Sequence, residues 1–151
     1  MPSTSSRITK KMVFIIDEGS VFKAPIDKVW KLNLSEGNHS HPSVRNYRTE
    51  MDGEHPILYY ESPGPNDSWM KNKVRLTVLP PVGIVFESIE GPMTGSKSMQ
   101  FYTPKGNETA VTVVGNWVAG NLPEAQLRSA VLGFLDNVFK EDQANLAKMS
   151  E

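Results

Sequence analysis

A carboxyl and a hydroxyl group lie in phase with apolar residues in the first regular segment of the chain. Residues 12–22 alternate as in a β-strand, and Glu18 and Ser20 share one face with Phe14. A carboxylate is costly to bury unless it is paired, hydrogen-bonded or protonated, and a carboxyl group in an apolar pocket can act as a general acid or base. Glu18 is therefore a candidate catalytic residue, and Ser20 is a candidate ligand-binding residue. A β-bulge at Gly19 is the alternative, because it would reverse the phase and return Glu18 to water.

The histidines are the other residues that could do chemistry. His39 and His41 flank Ser40 in a loop, and His55 lies near several acidic residues. Imidazole and carboxylate groups bind zinc, but this spacing matches no zinc-site template. A dinucleotide-binding fingerprint is also absent from the sequence. We therefore predict neither a metal nor a cofactor.

Four large aromatic residues and one asparagine are predicted on inward faces. Tyr and Trp carry a large apolar body with one polar atom, which suits a packed core as well as the wall of a pocket. Both alternatives remain open for each aromatic residue. Asn72 is in phase with Met70 and Val74 of its strand and is a polar candidate of the same kind. The aromatic candidates are Trp30, Tyr60, Trp117, which lies near the small residue Gly115, and Phe134.

The elements that must position these residues are a strand, a helix, six further strands and a long helix. Pro25 suits the first position of a helix, and turn-forming pairs such as Asp52-Gly53 separate the later segments as in antiparallel hairpins. A capping-box pattern, Asn121-x-x-Glu124, predicts the start of a final helix of about 28 residues. The predicted strands are residues 12–22, 44–51, 56–62, 69–79, 82–90, 97–103 and 108–119.

Composition limits the function classes. The 151 residues carry a net charge of −1, and no basic stripe is present, so nucleic-acid binding is not expected. The absence of cysteine excludes a thiolate nucleophile. No segment is long and apolar enough for a signal peptide or a membrane span, and a cytoplasmic protein is expected. We expect a flexible tail at residues 1–11, a single domain at residues 12–151, and a monomer or a homodimer.

Four short segments are distinctive in this chain. They are Phe22-Lys23-Ala24-Pro25-Ile26-Asp27-Lys28-Val29-Trp30, His41-Pro42-Ser43-Val44, Gly106-Asn107-Glu108-Thr109, and Phe139-Lys140-Glu141-Asp142 followed by Asn145-Leu146. Over about residues 12–149, these segments and the order of the elements resemble the START/Bet v 1-like (SRPBCC) helix-grip superfamily, in particular its polyketide cyclase/dehydratase-type members. The segments specify the scaffold, so no catalytic role transfers residue by residue.

The resemblance implies an α+β fold with a cavity. The expected architecture is a seven-stranded curved antiparallel sheet wrapped around a long C-terminal helix, with one or two short helices after the first strand. The concave face of such a sheet is wider than one helix, so bulky side chains or a void must fill the remainder. In the superfamily, the segment after the first helix often borders the mouth of the cavity, which makes His39 or His41 a candidate gate residue.

Three function classes follow from this fold. The favoured one is a protein that binds a hydrophobic small molecule, such as a lipid, a polyketide-like aromatic or an isoprenoid, within the cavity. The alternative is a cyclase or dehydratase in which Glu18 or a histidine shuttles a proton. A further alternative is a ligand-gated regulatory protein, in which loops near residues 62–67 and 91–96 close over the ligand.

Overall fold

A computed structural model describes residues 11–35, 41–120 and 122–149. The boundaries of the seven strands lie within two residues of the predictions, and Lys11, which we assigned to the tail, opens the first strand. The strands are β1 (Lys11–Phe22), β2 (Arg45–Asp52), β3 (His55–Pro63), β4 (Trp69–Leu79), β5 (Gly83–Glu90), β6 (Lys97–Lys105) and β7 (Glu108–Ala119). The helices are α1 (Ile26–Asn33) and α2 (Glu124–Lys148), and Pro65–Asp67 forms one 3-10 turn.

All seven strands form one antiparallel sheet in the order β1-β7-β6-β5-β4-β3-β2. Hairpins join β2 through β7 in sequence, and β1 pairs with β7 at the other edge of the sheet. The predicted α+β architecture, with one short helix after the first strand and a long C-terminal helix, is confirmed. Strand β2 is an edge strand, and almost all of its residues are exposed.

A β-bulge in β1 changes which residues of this strand point toward the core. Val13 and Ile15 are almost completely buried, whereas Phe14 is 59% exposed. The pairing with β7 shifts register between Asp17 and Ser20, and Gly19 has a φ angle of +100° at that point. The extra residue changes the phase of the strand. As a result, Phe22 points inward like Val13 and Ile15, although simple alternation would place it on the opposite face.

Two apolar clusters hold the helices against one side of the sheet. α2 packs on β1, β7 and α1. In the first cluster, Leu127 and Val131 of α2 cover Val13 and Ile15 of β1. In the second, Phe139 of α2 stacks on Phe22, with ring centroids 4.6 Å apart. Burial of such side chains contributes about 1.5–3 kcal/mol each, so these contacts fix the position of the helix.

The start of each helix is set by proline rather than by a capping side chain. Pro25 and Pro123 occupy the N-cap positions of α1 and α2, and neither helix has a side-chain cap hydrogen bond. The predicted capping box used Asn121, which lies outside the described residues. Neither described helix is long and apolar enough to cross a bilayer.

Replacing Gly19 with alanine tests the bulge. A φ angle of +100° is unfavourable for any residue with a Cβ atom, although a Cβ atom added at this position would meet no heavy atom within 4 Å. We expect Gly19→Ala to lower the free energy of unfolding by about 1–2 kcal/mol in urea denaturation. Gly120→Ala is the matched control, because its Cβ also meets no atom and its φ angle is not positive. Equal effects of the two substitutions would contradict the assignment of strain to the bulge.

Candidate functional site

A cavity of about 1400 Å³ separates the concave face of the sheet from α2. Strands β3 to β5 supply most of its apolar wall, and α2 faces them with small residues that include Ala130 and Gly133. Exposed lining residues, such as Met51 on β2, lie where the cavity opens to solvent. The apolar wall includes Leu58, Val74, Leu76, Ile84, Phe86 and Leu135.

Aromatic rings form one part of the wall. Tyr60 of β3 and Phe134 of α2 are nearly parallel, with an interplanar angle of 13° and ring centroids 6.4 Å apart. Burial raises the pKa of Tyr60 to about 12, so the phenol stays protonated at neutral pH. Trp117 of β7 also lines the cavity, and its ring lies over Gly115, where a Cβ atom would come within 2.7 Å of the indole. Glycine at position 115 therefore makes room for the indole.

Asn72 of β4 places a polar group in the apolar wall. Its amide nitrogen donates hydrogen bonds to the Ser62 hydroxyl at 2.9 Å and to the Met70 carbonyl at 3.1 Å. The bond to a carbonyl fixes the orientation of the amide, because only the nitrogen can donate. Asn72 is buried and lines the cavity. Its side-chain oxygen is therefore available as an acceptor on the wall.

A charged cluster lies where α2 meets the segment after α1. His41 Nδ1 is 2.9 Å from Glu141 Oε1, and His41 Nε2 is 3.4 Å from Asp142 Oδ1. The backbone N–H of Ser43 donates to the other Glu141 oxygen at 3.0 Å. These contacts tie the chain at residues 41–43 to the helix, and the side chains of His41, Glu141 and Asp142 are largely buried.

Asp142 has the most strongly shifted carboxyl pKa of the described residues. Desolvation by burial raises the pKa of its carboxyl to about 6, Glu141 raises it further, and His41 and a hydrogen bond from Asn145 lower it. Oδ1 of Asp142 and the hydroxyl of Ser43 are buried without a hydrogen-bond partner among the described residues. An acceptor without a donor favours the protonated form of the acid.

A neutral polar group lies beside this cluster. The Tyr102 hydroxyl oxygen accepts hydrogen bonds from Asn33 Nδ2 at 3.0 Å and from Gln100 Nε2 at 2.7 Å. Burial raises the pKa of Tyr102 to about 12, and the nearby Asp142 carboxylate raises it as well. All of these side chains line the cavity. The cavity thus has a long apolar wall and one polar end.

Comparison with known proteins rests on structure alone, since no family model and no curated protein sequence matches the chain. A START superfamily protein from Mycobacterium smegmatis superposes with a TM-score of 0.73 at 11% identity, over 92% of this chain and 99% of that one. Ara h 8.0201 gives a TM-score of 0.72 at 10% identity, over 92% and 100%. The Zhui aromatase/cyclase from Streptomyces sp. R1128 gives 0.67 at 14% identity, over 90% and 92%. The chain has the START/Bet v 1-like helix-grip fold. At these identities the likeness establishes the fold and leaves the ligand and the activity open.

The helix-grip fold brings five of the predicted site residues to one cavity. His41 belongs to its polar end, and the other four lie along its wall. His41 was expected as a gate residue, but its side chain is only 11% exposed and is held by α2. His39, the other candidate gate residue, lies outside the described residues. The five are His41, Tyr60, Asn72, Trp117 and Phe134.

Three predicted site residues lie outside this cavity. The prediction that Glu18 faces the concave side is wrong. Ahead of the bulge, Val13 and Ile15 occupy the inner face, so Glu18 lies with Phe14 on the exposed face. Trp30 belongs to the core: it is 7% exposed, its indole N–H donates to the Pro81 carbonyl at 3.2 Å, and its ring meets Tyr102 edge-on. Ser20 lines a separate cavity of about 30 Å³, which Gln100 and Asp142 also line.

Sequence reasoning missed the acidic half of the polar end. In α2, Leu135 and Val138 are followed at helical spacing by Asp142 and Asn145. These residues were assigned to the scaffold alone, whereas Asp142 and Asn145 continue the apolar face of the helix inward. A carboxyl and an amide in phase with a buried stripe were the available signal.

The raised pKa of Asp142 predicts a pH dependence of stability. The folded protein holds this proton more tightly than the unfolded chain, so the Asp142 contribution to the free energy of unfolding falls as pH rises from about 4 to about 6. An asparagine side chain at this position would not titrate. We therefore expect the stability of Asp142→Asn relative to the wild type to rise by about 1–3 kcal/mol over this interval and to stay constant above it. Urea denaturation at a series of pH values measures the difference.

Asp136→Asn is the control for this titration, because Asp136 is an exposed acid on the same helix, paired with Lys140. Its stability should follow that of the wild type at each pH. A difference between Asp142→Asn and the wild type that does not change with pH would contradict the assignment.

Proposed function

We propose that the protein binds a hydrophobic small molecule, such as a lipid, a polyketide-like aromatic or an isoprenoid, in the cavity between the sheet and α2. The observation that carries the proposal is the combination of about 1400 Å³ with a predominantly apolar wall. Small-molecule sites are commonly about 300–1000 Å³ and are lined by apolar and aromatic side chains with a few polar groups. Transfer of apolar ligand surface from water contributes about 25 cal/mol per Å², which is the driving force for binding.

The wall residues have distinct roles in this proposal. Tyr60, Phe134 and Trp117 contact the apolar body of the ligand, and Asn72 and His41 orient it through polar contacts. The Zhui aromatase/cyclase shares the fold, which supports a polyketide-like aromatic as one candidate ligand. Nearly parallel rings of Tyr60 and Phe134 support the same class, because aromatic rings favour stacked contacts.

A neutral fluorescent probe, N-phenyl-1-naphthylamine, tests the binding function. We expect its emission to rise on titration with the protein, and Gly133→Phe to weaken binding at least about tenfold, because the new ring fills the cavity from α2. A Cβ atom at position 133 meets no heavy atom within 4 Å, so the helix should tolerate the substitution. Leu132→Phe adds bulk on an exposed position of the same helix outside the lining and should bind as the wild type does.

Failure of the wild type to bind the probe would contradict the proposal.

Energy transfer from tryptophan to the bound probe shows where the probe lies. Energy transfer from tryptophan should fall in Trp117→Phe and persist in Trp69→Phe, since Trp69 lies outside the lining under Arg45.

A second candidate function is acid–base catalysis on a bound carbonyl compound. The observation that favours it is the placement of His41 between Glu141 and Asp142 at the end of an apolar cavity. A carboxylate oxygen lies beside each imidazole nitrogen, Glu141 Oε1 at Nδ1 and Asp142 Oδ1 at Nε2, so the ring is oriented by acids at both positions that can carry a proton. In such a reaction the C–H bond beside the carbonyl breaks, the proton passes to His41, and the electron pair moves onto the carbonyl oxygen.

Proton exchange into 1-tetralone in D2O tests this candidate without knowledge of the substrate. If His41 acts as the base, NMR should show loss of the protons beside the carbonyl at about 10² times the uncatalysed rate, and His41→Gln should abolish the acceleration. Retained binding of N-phenyl-1-naphthylamine by His41→Gln would show that the cavity is intact. Exchange at the uncatalysed rate with the wild type would count against catalysis and leave the binding function in place.

A further inference from the structure

The polar end of the cavity contains neutral groups with unused hydrogen-bonding capacity. Asn33 and Gln100 both donate to the hydroxyl oxygen of Tyr102, so this oxygen acts as the acceptor in both bonds. The Tyr102 hydrogen has no acceptor among the described residues, and neither amide oxygen has a donor there. Tyr102 is only 7% exposed, so an unused donor at this position is costly unless a ligand or water meets it.

The three side chains together present both a donor and an acceptor to the cavity. If one amide were turned over, its oxygen would accept the Tyr102 proton and its nitrogen would become the unused donor. The count of unused donors and acceptors is therefore preserved in either orientation. A hydroxyl group satisfies such a set, because it both donates one hydrogen bond and accepts others.

The charges at the same end oppose an anionic ligand. Glu141 and Asp142 flank His41, and no lysine or arginine among the described residues pairs with either carboxylate. Among the described lining residues, Arg48 is the one lysine or arginine, and it is paired with Glu50 on the exposed edge strand. A carboxylate or phosphate at the polar end would approach two acids without a cation of its own, which is unfavourable in a cavity of low polarity.

We infer that the cavity selects an apolar molecule that ends in a hydroxyl group, an alcohol or a phenol, with the hydroxyl bound by Tyr102, Asn33 and Gln100. The inference rests on the proposed binding function and specifies the ligand class for the same cavity. The apolar body lies along the Tyr60 and Phe134 side, and the hydroxyl group points to the polar end.

Displacement of N-phenyl-1-naphthylamine at pH 7.5 by matched ligands tests the selection. 2-Naphthol and dodecan-1-ol are compared with their methyl ethers and with 2-naphthoate and dodecanoate. We expect each hydroxyl compound to bind about three- to tenfold more tightly than its ether, although the ether is more apolar, because one hydrogen bond contributes about 0.5–1.5 kcal/mol. We expect the carboxylates to bind more weakly than both. The pair with the larger hydroxyl preference distinguishes a phenol from an aliphatic alcohol.

Variants assign the preference to the polar end. Tyr102→Phe should remove the advantage of the hydroxyl compounds over the ethers, whereas Tyr59→Phe should keep it, because Tyr59 lies outside the lining beneath Arg48. Asp142→Asn should strengthen carboxylate binding at least about threefold and leave the ethers unchanged. Retained binding of the neutral probe shows that each variant has folded with its cavity.

Three outcomes would overturn the inference: ethers that bind as tightly as the hydroxyl compounds, a hydroxyl preference that survives in Tyr102→Phe, or carboxylates that bind most tightly. Each of these overturns the selection alone when the probe still binds. Absence of probe binding by the wild type would instead overturn the binding function, and the selection with it.

Discussion

One helix cannot cover the concave face of a seven-stranded sheet, and the rest of this structure depends on where that helix is held. α2 is fixed at the β1 and β7 side by Leu127 and Val131 at one end and by the stack of Phe139 on Phe22 further along. Strands β3 to β5 therefore face the helix across a space instead of packing on it. The apolar residues on these strands remain available to a ligand because α2 packs its own apolar side chains near β1 and β7, at the far edge of the same concave face.

The same anchoring explains why the polar end exists. A helix that packs at the β1 side carries Glu141 and Asp142 toward the segment after α1, where His41 and the Ser43 N–H meet them. Buried carboxylates need partners, and these partners come from about 100 residues away in the chain. The cluster thus joins two parts of the chain and also gives one end of an apolar space a distinct chemistry. Tyr102, Asn33 and Gln100 extend this polar surface without adding charge.

Features of the structure that depend on local interactions could be predicted from the sequence, and features that depend on contacts between distant parts of the chain could not. Turn residues such as Asp52-Gly53 act locally, so strand boundaries could be read directly, and alternation in β4 placed Asn72 and Val74 on the inner face correctly. The face of Glu18 was wrong because Phe14 and Ile16, with which it is in phase, lie on the exposed face, and apolar character alone does not show which face of a strand is buried. The pairing of His41 with Asp142 could not be predicted, since it depends on how the helix sits on the sheet.

Strand β2 has a consequence for the rate at which the cavity exchanges its contents. It is an edge strand, almost all of its residues are exposed, and its pairing with β3 shifts register between Arg45 and Arg48. A segment with few buried contacts separates from its neighbour at a small fraction of the global free energy of unfolding. Residues of β2, among them Thr49 and Met51, line the cavity, so separation of β2 from β3 would open the cavity wall while α2 stays anchored near β1. Residence time would then depend on the local opening of β2, separately from the contacts that determine affinity.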